Sequence, residues 1–366
     1  MEKIDNLKQT PLASEHKRLG AKMASFGGWL MPIQYEGIIA EHNWTRTQAS
    51  VFDICHMGEF IFEDDPLGCG LDKVLPLSFD KMPLNSCRYT LMLNERGGIM
   101  DDLIIYKIRQ DKFMIVVNAA TGDKDFTHIK RHLYKEKNFV NISGETGKLD
   151  IQGPKSKDVM KKIVGAQIEK LKYYTFDYFE LLGEKCIISR TGYTGELGYE
   201  IYISMDKVTE LWNIFLADSD IKPAGLGARD TLRIEMGYPL YGQDMDESIN
   251  PIEAGLENFI TSDNGFIGEG ALEKAKDDFS RRRIFFTCNS RRTPRHNYKI
   301  YSLDNQQIGI VTSGSFSPSL GVGLGIGFAK NSFTKSETKI ILKDTNVEIA
   351  ARIVDRPFYK NGSLKN

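Results

Sequence analysis

Apolar positions along the chain recur first at helical spacing and then at strand spacing. His16, Leu19 and Met23 share one helical face, a Gly27-Gly28-Trp29 break follows, and a second helical pattern runs through Ile38, Ile39, His42 and Thr45. From Ser50 the character becomes β. Residues 89–94 and 99–108 around Gly97-Gly98 predict a hairpin, and the apolar run Phe113-Met-Ile-Val-Val117 predicts a buried strand. A helix over 123–135 and a strand over 148–152 come next. Pro154 suits the first turn of a helix whose apolar face is Val159, Met160, Ile163 and Val164. Strands over 185–190 and 199–204 flank a glycine-rich loop. Val208, Leu211, Trp212, Phe215 and Leu216 then form a helical stripe predicted to be core. A further helix over 228–236 stops at Gly237.

Beyond a charged, helix-like stretch over 272–280, the rhythm shortens. Six predicted strands (284–286, 299–302, 308–312, 321–328, 338–342 and 347–353) alternate with turns, as in a small separate barrel or sandwich. The boundary falls near residue 277. Helices mixed with antiparallel strands, without a steady βαβ rhythm, make the fold class α+β. Within the last segment, Gly321-Val-Gly-Leu-Gly-Ile-Gly327 does not open a helix with G-x-G-x-x-G. Its strict alternation instead predicts a strand face approached closely by other backbone. P-loop, H-E-x-x-H and G-x-S-x-G motifs are also absent from the sequence, and with the missing G-x-G-x-x-G this removes the main support for nicotinamide, ATP and serine-hydrolase chemistry.

Composition narrows the classes further. A chain of 366 residues suggests two or three domains. Lys+Arg 48 against Asp+Glu 49 leaves a net charge of -1, which argues against nucleic-acid binding. No apolar run approaches the roughly 18 residues of a membrane span. Cys55, Cys69, Cys87, Cys186 and Cys288 are odd in number and scattered, so neither a disulfide framework nor a metal site is expected. The start MEKIDNLKQTPL has neither a basic n-region nor an apolar h-region, and a cytoplasmic location is the expectation.

Three segments carry candidate chemistry. Asp101-Asp102 opens the strand after the Gly97-Gly98 turn. Neighbours in a strand face opposite ways, so one of the two at most can face a given pocket. Local sequence alone favours a solvated strand start; the alternative is a carboxylate at the lip of a cavity. Thr191-Gly-Tyr-Thr-Gly-Glu-Leu-Gly-Tyr-Glu200 holds Tyr193 and ends on Glu200, where an exposed carboxylate would gain little. Arg229 lies near the start of its helix, against the dipole, and so calls for an anionic partner, either a ligand or an intrachain salt bridge.

In their order, these segments resemble the aminomethyltransferase, or T-protein, family of the glycine cleavage system. The likeness runs from Gln9-Thr-Pro-Leu12 through Phe26-Gly-Gly-Trp29, Met31-Pro-Ile-Gln-Tyr35, Phe52-Asp-Ile-Cys-His-Met-Gly58 and Asn94-Glu-Arg-Gly-Gly-Ile-Met-Asp-Asp-Leu103. It continues through Val116-Val-Asn-Ala119, Gln152-Gly-Pro154, the Tyr193 loop, residues 225–237, Asn250-Pro-Ile-Glu-Ala-Gly-Leu256 and residues 312–320, to Arg356-Pro-Phe-Tyr359.

The resemblance implies three domains around a central folate cavity, the last a small β-barrel. They are expected at 1–50 with 138–240 for the folate-binding domain, 51–137 with 241–277 for a second α+β domain, and 278–366 for the barrel. It implies transfer of the one-carbon unit of an aminomethyl group, held on the lipoyl arm of the H-protein, to tetrahydrofolate. Ammonia and methylenetetrahydrofolate are the products, and no metal takes part.

By resemblance Asp101 is the catalytic carboxylate, stabilising an iminium-like species and orienting or deprotonating the nucleophile, an effect worth roughly 10²–10⁴-fold. Glu200 accepts from the pterin edge, Tyr193 and Tyr89 line the ring site, Arg229 joins the same network, and Asn118 and Met57 complete it. Two positions depart from the family pattern: Cys55 stands where Ser is usual, and Ala120-Thr121-Gly122 stands where another Asn is common. The basic cluster Arg281-Arg282-Arg283 with Arg291, Arg292 and Arg295 is read as a solvated face. Its alternative role is steering an acidic carrier or the glutamate tail of folate.

Related folds set the competing expectations. A folate-dependent demethylase would act on a free amine or thioether. Dimethylglycine and sarcosine oxidising enzymes carry an added flavin domain, for which this chain has neither the length nor the fingerprint. The iron–sulfur maintenance protein carries a Lys-Gly-Cys-Tyr-x-Gly-Gln-Glu stretch, and here Tyr193-Thr-Gly-Glu196 stands instead.

Overall fold

The computed structural model describes residues 6–135, 138–262 and 265–364. Its architecture is mixed α and β, organised around two large sheets and a barrel. The six-stranded sheet runs Phe176–Leu181, Glu184–Ser189, Gly198–Ser204, Thr146–Gln152, Ala49–Asp53, Ile221–Pro223, with the last pair parallel. The five-stranded antiparallel sheet runs Cys87–Leu93, Ile99–Arg109, Lys112–Val117, Gly58–Glu63, Phe139–Asn141. A small sheet joins Lys8–Gln9, Trp29–Gln34 and Lys22–Phe26. The barrel closes through Arg281–Cys288, Gly323–Lys330, Gln307–Phe316, Lys299–Tyr301, Lys339–Asp344 and Val347–Val354.

The strands of the five-stranded sheet lie, in sequence, between the first and second strands of the six-stranded one. We keep the partition given above as a proposal. Its junction at 137/138 touches residues outside those described.

The six-stranded sheet owes its position to one strand. In Thr146–Gln152, Leu149 and Ile151 point to one face and Lys148, Asp150 and Gln152 to the other. The apolar face packs with Ile201 and Ile203 under Val208, Leu211, Trp212 and Phe215, the stripe expected to be core. The polar face is buried as well, Lys148 at 1% and Asp150 at 0% exposure. Where the two sheets meet, Tyr106, Met114 and Val116 pack with Phe176 and Tyr202. A buried polar face of this kind has to be internally satisfied.

Three local expectations are corrected. Met23 is not helical: the helix is Ala13–Arg18, Gly20 takes φ +74, and Lys22–Phe26 is a strand. Pro154 precedes the helix Ser156–Val164 rather than occupying its first turn. The charged helix is Glu269–Ala275, shorter than expected. Three of the four alternating glycines behave as read, whereas Gly321 lies before the strand with φ +71 and open space around it. A Cβ at Gly323, Gly325 or Gly327 would sit 2.0, 2.5 or 2.5 Å from the carbonyl oxygens of Arg292, Ser313 and Ile310.

No described helix is long and apolar enough to cross a membrane.

Candidate active site

The polar face of Thr146–Gln152 builds one half of the site. Antiparallel register sets Lys148 opposite Tyr202 and Asp150 opposite Glu200. Glu200 accepts the Thr191 hydroxyl at 2.6 Å and the Tyr106 hydroxyl at 3.3 Å, with Lys148 Nζ 3.7 Å away. Burial pushes this carboxyl up, yet Lys148, the Thr191 bond and Arg229 together hold it below the ordinary glutamate range.

Asp150 is ion-paired to Arg229 and takes the Gln152 amide at 2.5 Å. Burial, with Glu200 adding to it and Arg229 opposing, pushes Asp150 up to about 6. Glu59, fully enclosed near Lys148, is pushed by burial up to about 8, and its Oε1 has no hydrogen-bond partner. The anionic partner that Arg229 called for is therefore Asp150. Its guanidinium also lies 5.3 Å from the centre of the Tyr193 ring, which stacks on Tyr238 at 5.6 Å while its hydroxyl donates to the Pro239 carbonyl.

The hairpin strands Cys87–Leu93 and Ile99–Arg109 build the other half, and here strand alternation separates the acid pair. Asp101 is fully buried; it accepts the Asn118 backbone N–H at 3.2 Å, the Asn118 side-chain amide at 2.8 Å and the Thr121 hydroxyl at 2.7 Å. Asp102 stays partly open and accepts the Tyr89 hydroxyl at 3.0 Å and the same Asn118 amide at 2.8 Å. Burial, reinforced by the adjacent Asp101 charge, pushes Asp102 up to about 7.

The expectation for this pair is thus reversed in geometry. The carboxylate on the open side, among the half-buried Tyr89, Tyr193 and Asn118, is Asp102, while Asp101 is turned away behind it.

Of the residues anticipated, Glu200, Arg229 and Tyr193 come together around the polar face, and Tyr89 and Asn118 around Asp102. Met57 bridges the first group through its sulfur, 3.6 Å from Lys148 Nζ. Lys148, Asp150, Tyr106 and Thr191 were missed. The signal for two of them was present, since Lys148, Asp150 and Gln152 alternate with Leu149 and Ile151.

The departures also find places. The Cys55 thiol donates to the Lys148 carbonyl at 3.3 Å, and Thr121 supplies the hydroxyl behind Asp101. Within the basic cluster Arg281 pairs with Glu253 at 2.8 Å and Arg282 with Glu257 at 2.7 Å, Arg283 is buried with its Nε and Nη1 unpartnered, and Arg291, Arg292 and Arg295 are exposed. Among the described residues no cluster of His, Cys, Asp and Glu is arranged to hold a metal ion.

Comparison with known proteins gives this site its context. Residues 12–264 match the GCVT N-terminal domain, and residues 281–360 match the glycine cleavage T-protein C-terminal barrel domain. An aminomethyltransferase of Halothermothrix orenii is 42% identical over 357 residues, covering 96% of this chain and 100% of the relative. One from Flavobacterium psychrophilum is 40% identical over 359 residues, covering 97% and 100%. The crystal structure of glycine cleavage system aminomethyltransferase T from Bartonella henselae superposes with a TM-score of 0.91 at 31% identity, covering 97% of this chain and 99% of that one. The chain belongs to the aminomethyltransferase family, the T-proteins of the glycine cleavage system.

Proposed function

We propose that this aminomethyltransferase passes the one-carbon unit of an aminomethyl group, presented on the lipoyl arm of an H-protein, to tetrahydrofolate, with release of ammonia, and that it does so in the cytoplasm. The observation that carries the reading is that the buried Glu200 accepts the Thr191 and Tyr106 hydroxyls with Lys148 3.7 Å away, while the partly open Asp102 accepts from Tyr89 and Asn118. Glu200 is held ionised by Lys148 and Arg229, whereas Asp102 is poised near neutrality beside Tyr89 and Tyr193. An ionised carboxylate accepts two N–H bonds and so suits the donor-rich edge of a pterin. A carboxylate titrating near 7 suits a proton that must leave a folate nitrogen and a proton that must reach departing ammonia. We therefore assign to Asp102 the role first expected of Asp101. Tyr89, Tyr193, Asn118 and Met57 line the ring site, and Arg229 holds Asp150 and the Tyr193 ring.

The test is an assay with aminomethylated lipoyl carrier and tetrahydrofolate, comparing wild type, Asp101→Asn and Asp102→Asn. Asp102→Asn is expected to be the deeper loss. If Asp101→Asn is the dead variant while Asp102→Asn turns over, the assignment within the pair fails. Should wild type ignore the carrier yet demethylate a free amine or thioether, the transferase reading gives way to the demethylase one.

A further inference from the structure

The barrel contributes a buried cation that stands apart from the ion pairs holding this fold together. Along Arg281–Cys288, Ile284, Phe286 and Cys288 point into the barrel core, so Arg281, Arg283 and Phe285 point outward. Arg281 is paired with Glu253. Arg283 is only 6% exposed, yet among the described residues its Nε and Nη1 have no hydrogen-bond partner and it forms no ion pair.

Its neighbours locate it. Antiparallel register puts Arg283 opposite Phe328, and directly opposed residues share a face. Phe328 belongs to the apolar cluster of Leu91, Leu93 and Ile99 on the acidic hairpin, against which Tyr89 packs. On the other side, the Arg283 guanidinium carbon lies 5.4 Å from the centre of the Phe285 ring. That ring would stand 3.0 Å from a Cβ at Gly237, the residue before Tyr238, and Tyr238 stacks on Tyr193. Arg283 thus emerges from the barrel at the seam between the Tyr89 side and the Tyr193 side of the ring site. A guanidinium keeps its charge at any working pH and carries five N–H donors. Donors buried without a partner cost free energy, which an anionic group brought by a ligand recovers.

We propose that Arg283 is a binding residue for the one-carbon acceptor and takes a carboxylate of the tetrahydrofolate tail. The tail ends in glutamate, whose two carboxylates are anions that neither Glu200 nor Asp102 can receive. One residue of the basic cluster is thereby singled out, and it acts from inside the molecule rather than as part of a solvated face. The inference rests on the folate reading above and deepens it.

The test combines a ligand change with a protein change. Its probes are tetrahydrofolate and the tail diamide of tetrahydrofolate, in which both glutamate carboxylates are carboxamides of the same shape. Each is titrated calorimetrically into wild type, Arg283→Gln and Arg283→Lys. Wild type is expected to bind the acid about tenfold or more tighter than the diamide, as for a charged hydrogen-bonded pair. Arg283→Gln is expected to bind the two alike. Arg283→Lys keeps the charge without the planar donor set and is expected to restore part of the preference.

Wild type that binds acid and diamide alike would overturn the proposal and leave the folate reading intact, whereas wild type that binds neither would overturn both. A preference for the acid that survives in Arg283→Gln would also overturn it. If Arg283→Gln weakens both ligands by the same factor, Arg283 supports the ring site or the fold rather than the tail, and the proposal fails. A merely structural role lowers the melting temperature of the unliganded protein. An anion-binding role leaves it unchanged or raises it, because an unpaired buried charge has been removed. If Arg283→Gln does not fold, Arg283→Met, which fills the same space without a donor, carries the same comparison.

Discussion

Asp150 and Glu200 face each other directly across adjacent antiparallel strands, two buried carboxylates in register. Their juxtaposition persists because each has its own cation: Arg229 is paired to Asp150, and Lys148 lies 3.7 Å from Glu200. Removing one cation leaves an unpaired charge beside a like charge. Arg229→Gln is expected to lower stability by about 3 kcal/mol, as for other broken buried pairs. Adding Asp150→Asn should return much of that loss, because the stranded charge goes with it. Chemical denaturation of the two single variants and the double variant measures the coupling; strictly additive losses would contradict it.

Glu200→Gln tests the ligand side of the same cluster. A glutamine keeps the shape but loses the charge that takes two N–H bonds. Folate affinity is expected to weaken by about 1–3 kcal/mol. Titration calorimetry reads this directly, and an unchanged affinity would remove Glu200 from the folate site.

Asp102 predicts the pH dependence of turnover. Pushed up to about 7, it is protonated below that value and cannot take a proton from the nucleophile. The rate constant kcat/KM should therefore rise with pH through about 7. In Asp102→Asn the limb should disappear, with a loss of roughly 10²–10⁴-fold. A profile flat from pH 6 to 8 in wild type would count against Asp102 as the proton acceptor.

Glu59 predicts the pH dependence of stability, and the sign follows from its raised folded-state value of about 8. Unfolded, the group releases its proton near 4.3; folded, it keeps it. Its contribution is complete below about pH 4 and is lost as pH rises towards 8, at about 1.4 kcal/mol per pH unit. Glu59→Gln should flatten the stability curve between pH 5 and 8 by one proton, seen in the shift of the urea midpoint.

Gly325 tests the barrel. A Cβ there would meet the Ser313 carbonyl at 2.5 Å and the Phe286 ring at 2.7 Å, both inside a closed sheet. Gly325→Ala is expected to cost about 1–3 kcal/mol by overpacking, read as a lower melting temperature.

The barrel strands and the acidic hairpin were legible because their turns and apolar runs are local features. The register of Gly323–Lys330 followed from its glycines, since only close backbone explains three missing side chains on one face. Other features were not local. Helical spacing across His16, Leu19 and Met23 covers two turns, too few to outweigh Gly20 and the pairing of Lys22–Phe26 with Trp29–Gln34. The order Asp101-Asp102 says that at most one of the two carboxylates faces a given pocket, but not which. That parity goes with Asn118 and Thr121, which bind Asp101 from the loop after a different strand. Lys148 and Asp150 looked like the solvent side of a half-buried strand. They are enclosed because the sheet carrying Tyr106 covers them, a contact no local pattern announces.

The strand Ala49–Asp53 is buried along its whole length between Thr146–Gln152 and Ile221–Pro223. Both partners are synthesised long after it. At roughly 5–20 residues per second it leaves the ribosome on the order of ten seconds before its parallel neighbour exists. The strands from Gly58–Glu63 to Phe139–Asn141, by contrast, form a contiguous unit that closes in the meantime. The emerging chain therefore carries residues 49–53 unpaired until their strand partners are made, which leaves that segment open to mispairing during synthesis.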